Sequence, residues 1–279
     1  MQPEHVPAEE HAAPATQAET GGVISGTVTD AQGQPLRNVE VRAQTPAEIA
    51  GRPLARYVAQ SDEQGTYSME VSSYPYRLSA YIKVLYRGKQ WERQLHPTDD
   101  SADIVTPKGH IGKDFSWQLT GLVPGQDPEG YTSYYGGYIQ LQWGENSSNP
   151  SLLSPEPILQ VTLTPTSPLI DGSIGKVLKL KRTIKATTTR EGPLERTCYL
   201  HDIPIGPYRA TATLILPNGD IHPLSVSTNT ERRGGRVPGE SADLEFSPSF
   251  AKSSDNLSLF LDFSLGRAVF NEILGMLTQ

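Results

Sequence analysis

Two punctuated segments near the start of this chain constrain its fold more than anything else in it. The first reads Gly26-Thr27-Val28-Thr29-Asp30-Ala31-Gln32-Gly33-Gln34-Pro35-Leu36 and continues into Val39-Glu40-Val41. The second reads Ser61-Asp62-Glu63-Gln64-Gly65-Thr66-Tyr67-Ser68-Met69-Glu70-Val71. In each, an Asp-x-x-Gly corner adjoins a run of alternating apolar and polar side chains, the pattern of a strand buried on one face. Asp30 and Asp62 can each accept a hydrogen bond from the backbone N–H two residues on, while Gly33 and Gly65 can take positive φ without a Cβ penalty. Pro35 restarts the chain in an extended conformation. Val39, Val41 and Ala43 then point one way and Glu40 and Arg42 the other; Tyr67, Met69 and Val71 repeat this against Ser68 and Glu70. Two sheets facing each other through such stripes make a sandwich.

These residues, with Tyr76-Arg77-Leu78-Ser79-Ala80 after them, resemble the carboxypeptidase regulatory-like domain, also called transthyretin-like or prealbumin-like. The resemblance covers residues 22–95. In that family a glycine-led strand passes through Asp-x-x-Gly-x-Pro-Leu into a Val-x-Val strand, and a later Ser/Thr-Asp-x-x-Gly-x-Tyr/Phe corner opens another. The resemblance implies an accessory β-sandwich of secreted and envelope proteins, and it carries little chemistry of its own.

The length of 279 residues leaves room for a second domain, and 25 Gly with 23 Pro favour many short strands over long helices. The expected fold is mainly β: a transthyretin-like β-sandwich, a second Ig-like β-sandwich and a short C-terminal helix. Residues 1–21, rich in Ala, Pro and Glu, read as a disordered tether. Residues 22–143 form the first sandwich with an aromatic-rich extension, 144–156 a linker and 157–263 the second sandwich. Residues 264–279 place Leu265, Ala268, Val269, Ile273, Leu274 and Leu277 at the spacing of an amphipathic helix. The sequence Pro-Tyr-Arg-x-x-Ala occurs at 75–80 and again at 207–212, a diverged internal repeat.

The net charge of −7 argues against a nucleic-acid partner, which asks for a basic face. A single cysteine, Cys198, makes no internal disulfide. No stretch approaches the roughly 20 apolar residues of a membrane span. A tether ahead of a regulatory-like sandwich fits a secreted, periplasmic or cell-surface protein whose signal peptide has been removed, with a lipid anchor upstream as one form of attachment.

Catalytic signatures are missing from the sequence: no His-x-x-Glu, no His-Glu-x-x-His, no Gly-x-Ser-x-Gly, no phosphate loop and no dinucleotide glycine pattern. Two clusters remain. His96, Asp99, Asp100, Asp103, His110 and Asp114 crowd one loop with oxygen and imidazole donors, a mixture that a divalent ion could use, against the plainer reading of solvated surface. Trp117, Tyr131, Tyr134, Tyr135, Tyr138 and Trp143 supply planar rings on which sugars could stack, against the plainer reading of core aromatics. The expected function is therefore non-enzymatic, without a cofactor: binding or scaffolding of a protein or glycan of the cell envelope. The alternatives are a carbohydrate-binding module using the aromatics and a metal-dependent envelope enzyme using the 96–114 loop.

Overall fold

Alternation sets the strands. In Thr66–Val71 every second side chain is buried and the others face solvent, and in Tyr76–Tyr86 the same period holds until the hairpin tip at Arg87 and Gly88. The computed structural model describes residues 21–46, 55–130, 132–143, 157–184, 186–189, 192–194, 197–228, 239–246 and 256–262, and every regular element among them is a strand. The fold is all β. The segment expected to form the C-terminal helix, the tether at 1–20 and the linker at 144–156 lie outside the described residues.

The first region holds β1 (Gly22–Thr29), β2 (Glu40–Gln44), β3 (Arg56–Gln60), β4 (Thr66–Val71), β5 (Tyr76–Tyr86), β6 (Lys89–Gln94), β7 (His96–Pro97), β8 (Ile104–Val105), β9 (Gly109–Gly112) and β10 (Phe115–Ser116). One sheet has β1 at its centre, antiparallel to β4 on one edge and parallel to β9 and then β10 on the other, with β7 beyond β10. A second sheet runs β3-β2-β5-β6, all antiparallel, with β8 beside the start of β5. Ile24, Val28, Tyr67 and Met69 of the first and Val41, Ala43, Leu78 and Ala80 of the second are buried in the same apolar core.

Both Asp-x-x-Gly corners adopt one geometry. Asp30 Oδ1 accepts from the N–H groups of Gln32 (2.9 Å) and Gln34 (2.8 Å), and Asp62 Oδ1 from those of Gln64 (3.0 Å) and Thr66 (2.8 Å). Gly33 and Gly65 sit at φ 80° and 73°. The corners also interlock, since Val28 N donates to Gly65 O and Leu36 N to Val28 O. The buried Ser61 hydroxyl fastens the seam by accepting from Val39 N and donating to Leu36 O.

The second region holds β11 (Gly137–Trp143), β12 (Ile158–Pro165), β13 (Leu178–Thr183), β14 (Ala186–Thr189), β15 (Gly192–Leu194), β16 (Thr197–Ile203), β17 (Pro207–Ile215), β18 (Ile221–Thr228), β19 (Ala242–Glu245) and β20 (Asn256–Asp262). Its main sheet runs β13-β12-β17-β18-β20-β11-β16, with β19 beside the first half of β17 and β14-β15 a separate hairpin. β18 changes partner midway: residues 221–224 pair with β17, and residues 225–228 pair with β20. A strand that switches partners in this way turns a corner. β11, expected as an extension of the first sandwich, is hydrogen-bonded to β16 and β20, which belong to the second region.

The twin Pro-Tyr-Arg-x-x-Ala segments behave alike. Each opens an inner strand, β5 or β17, with Tyr76 and Tyr208 buried, Arg77 and Arg209 facing out, and Ala80 and Ala212 buried. Buried residues of both regions belong to one contiguous apolar cluster.

Candidate functional site

The donors of the 96–114 loop do not converge. The loop leaves β7 and returns through β9 to β10, and Lys113 lies inside it with only 8% of its surface exposed. Its ammonium donates to Asp99 Oδ1 (2.6 Å), Asp99 Oδ2 (2.8 Å) and Ser101 O (2.9 Å), so a side-chain cation already pairs with this carboxylate. Partial burial raises the Asp99 carboxyl, but hydrogen bonds from the Lys113 ammonium and the Ser101 N–H outweigh it and hold the group below its usual range.

The other donors are spent separately. Between β9 and β10 the parallel ladder along β1 breaks, and the Asp114 carboxylate becomes the acceptor, taking Thr27 N (2.6 Å) and Thr27 Oγ1 (2.9 Å). His110 Nε2 meets Ser25 Oγ at 2.7 Å, His96 Nε2 meets Asp100 Oδ1 at 2.9 Å, and Asp103 is exposed. Among the described residues no three His, Cys, Asp or Glu side chains are grouped so as to hold a metal ion. The carboxylates clustered in this stretch of sequence serve three separate loop and ladder contacts.

A test follows from the sign of the Asp99 shift. A carboxyl held below its unfolded value contributes stability that is present above about pH 4 and is lost as pH falls through the folded value. Asp99→Asn is expected to cost about 1–2 kcal/mol near neutrality, after allowing for solvent screening. Urea midpoints of the variant and the parent should converge once the pH drops below the carboxylate range.

Of the six aromatic residues, those whose side chains are described are buried or partly buried. Trp117, Tyr135 and Tyr138 are buried, and the Trp117 backbone N–H donates to Thr29 O at 2.8 Å. Tyr134 is partly buried, stacked on His201 (centroids 4.4 Å apart, planes at 11°), with its hydroxyl donating to Pro128 O. Tyr138 packs edge-on against Tyr199. Tyr131 lies outside the described residues, as does the side chain of Trp143, whose backbone pairs with Leu261 in β11. Core packing claims the rings of Trp117, Tyr135 and Tyr138, as it usually does strand aromatics. Trp117→Leu should therefore cost about 2 kcal/mol in chemical unfolding, the loss expected for trimming a buried aromatic.

The structure instead gathers residues at the junction of the two regions, with Tyr135 as the pivot. The buried Arg93 guanidinium of β6 donates to Tyr135 O, the Tyr135 hydroxyl to Leu95 O (3.5 Å), and the Tyr135 N–H to Gly121 O (2.9 Å). The His96 ring stands edge-on to Tyr135, with centroids 5.6 Å apart. Gly121 N in turn donates to Asp202 Oδ1 at 2.7 Å, and Asp202 sits at φ 62°. Burial pushes the Asp202 carboxyl up, against the pull of its bonds from Gly121 and Gly136. Farther along the seam Tyr86 Oη donates to Pro168 O (2.7 Å) and Arg87 pairs with Glu245 (2.9 Å).

Sequence reasoning missed Arg93, Lys113 and Asp202. A signal for Arg93 was present: in Trp91-Glu92-Arg93-Gln94-Leu95 the period of two puts a charge at an inward position between Trp91 and Leu95.

One open polar groove of about 470 Å³ lies beside the junction, lined by Asp30, Gln32, Ser116, Gln118, Asp171 and Ser173 among others. Both carboxylates have an oxygen committed to their own turns.

No family model matches the chain. No curated protein matches it. Among solved structures it is similar to a leucine-rich repeat protein from Bacteroides thetaiotaomicron (12% identity, TM-score 0.26, covering 88% of this chain and 27% of that one). It is also similar to a streptococcal ancillary pilin (8%, TM-score 0.24, 85% and 62%) and to a DUF3823 family protein from Parabacteroides merdae (10%, TM-score 0.24, 81% and 100%). The chain spans about a quarter of the first of these. Likenesses this distant carry no argument about activity.

Proposed function

We propose that this is a non-enzymatic binding or scaffolding protein of the cell envelope or exterior, in which two β regions are held at a fixed orientation as a spacer. The observation that carries this reading is the Tyr135 junction. Three hydrogen bonds, one of them from a buried guanidinium, tie one residue of the connection to the first region and to the connection itself. A junction of buried, directional polar contacts holds orientation better than an apolar slip surface would.

The chemistry of the described residues supports the same view. Asp99, Lys113, Asp114 and Asp202 are engaged in loop contacts, a ladder break and an ion pair, and extended sheet edges are surfaces to which partners can add. The envelope location rests on the regulatory-like pattern at residues 22–95.

Two measurements test the reading. Spin labels at Gln64 and Asn218, one in each region, should give a single narrow distance distribution; a broad one would remove the spacer. In cells or spheroplasts with an intact cytoplasmic membrane, added protease should reach the protein, and protection until that membrane is broken would remove the location.

A further inference from the structure

The loop that enters β13 presents apolar side chains on a fixed base. Leu169 and Ile170 are buried, and Ile170 N donates to Ile205 O at 2.9 Å. Leu169 N bonds to Ser173 O and Gly172 N to Leu169 O, both at 2.9 Å, while Asp171 Oδ1 takes Ser173 N and Ser173 Oγ. Past this knot Ile174 is 91% exposed and Val177 54% exposed.

Lysines accompany them. Lys176 is exposed in the loop, and Lys179 and Lys181 follow Val177 on the outward face of β13, about 7 and 14 Å along the strand. None of the three has an ion-pair partner among the described residues. Residues 172–184 contain no Asp or Glu, nor does the neighbouring β12, in a chain whose net charge is −7.

Lysines on an edge strand also discourage sheet-to-sheet aggregation, and β13 pairs only with β12 among the described strands. That role explains Lys179 and Lys181. It leaves Ile174 and Val177 in water without a reason.

We propose that residues 172–181 form a peripheral membrane contact whose partner is an anionic phospholipid surface. Ile174 and Val177 enter the boundary between headgroups and acyl chains, and Lys176, Lys179 and Lys181 lie among the phosphates. A soluble polyanion would use the lysines alone. The apolar tip favours the bilayer. The proposal is independent of the spacer reading, because vesicle binding by the purified chain does not require the Tyr135 junction and the spin-label distances do not involve this tip.

Vesicle sedimentation decides it. The full chain should sediment with phosphatidylcholine vesicles that contain phosphatidylglycerol, more so at low salt, and stay in solution with phosphatidylcholine alone. Replacing Lys176, Lys179 and Lys181 together by Gln should weaken binding roughly a hundredfold. Ile174→Asp with Val177→Asp should weaken it by roughly tenfold or more. All five side chains replaced are exposed, so folding should survive their replacement. Failure to sediment with the anionic vesicles would overturn the proposal. So would loss of binding in the lysine variant alone with the Ile174/Val177 variant unaffected, which would mark a general polyanion surface.

Discussion

Gly65→Ala is expected to destabilise the protein by about 3–4 kcal/mol, the combined cost of a side chain in the left-handed region and of overpacking. Gly65 sits at φ 73°, and a Cβ built there would lie 2.5 Å from Val28 O and 3.1 Å from the Pro35 side chain. That carbonyl cannot retreat, because it accepts from Leu36 N and belongs to the seam between the two corners. Gly33 supplies the control. Its φ is 80°, yet a Cβ would meet nothing within 4 Å, so Gly33→Ala should cost only about 1 kcal/mol, the backbone penalty alone. Urea midpoints of the two variants, measured side by side, separate close packing from backbone conformation. Equal losses would show that the second corner does not press on β1.

Arg93→Ala is expected to cost a similar amount, about 3–4 kcal/mol, through lost packing of the buried stem and a lost charge-assisted bond. Its more telling effect is on cooperativity. Arg93 leaves β6 of the first region to hold Tyr135, two residues before β11 enters the second. Without it, a single unfolding transition should split in two, with tryptophan fluorescence and far-ultraviolet dichroism losing coincidence. Arg93→Lys should rescue only partly, since one ammonium does not reproduce the guanidinium's planar fork of donors. A single unaltered transition in Arg93→Ala would mean that coupling runs through other contacts.

Local chemistry decides what was legible in the sequence. The Asp30 and Asp62 corners, the burial of Tyr67, Met69 and Val71, and the matched roles of Tyr76 and Tyr208 follow from turn propensity and period-two alternation, which act over a few residues. The all-β character follows from the same signals. Where the members of the two candidate sites lie was not legible, because proximity in sequence is not convergence in space. Asp99, Asp103 and Asp114 share a loop, yet one faces Lys113, one faces water and one completes a ladder on β1. Trp117, Tyr135 and Tyr138 share a composition that suits ligand platforms and cores equally, and only the packing partners distinguish these. The placement of β11 was out of reach for a further reason. Its alternation announces a strand, but nothing in it specifies β16 and β20 as neighbours.

That placement has a consequence for how the chain is made. β20 slots between β18 and β11, and it meets Tyr138 through Asn256, more than a hundred positions later. A ribosome releases β11 more than a hundred residues ahead of the strand that closes its flank. Until then β11 keeps one open rim, and the last insertion, a parallel pairing across a long loop, is of the slow kind. Translation that stalls before residue 256 would therefore leave an adhesive intermediate, which gives holding chaperones a defined client and a defined interval.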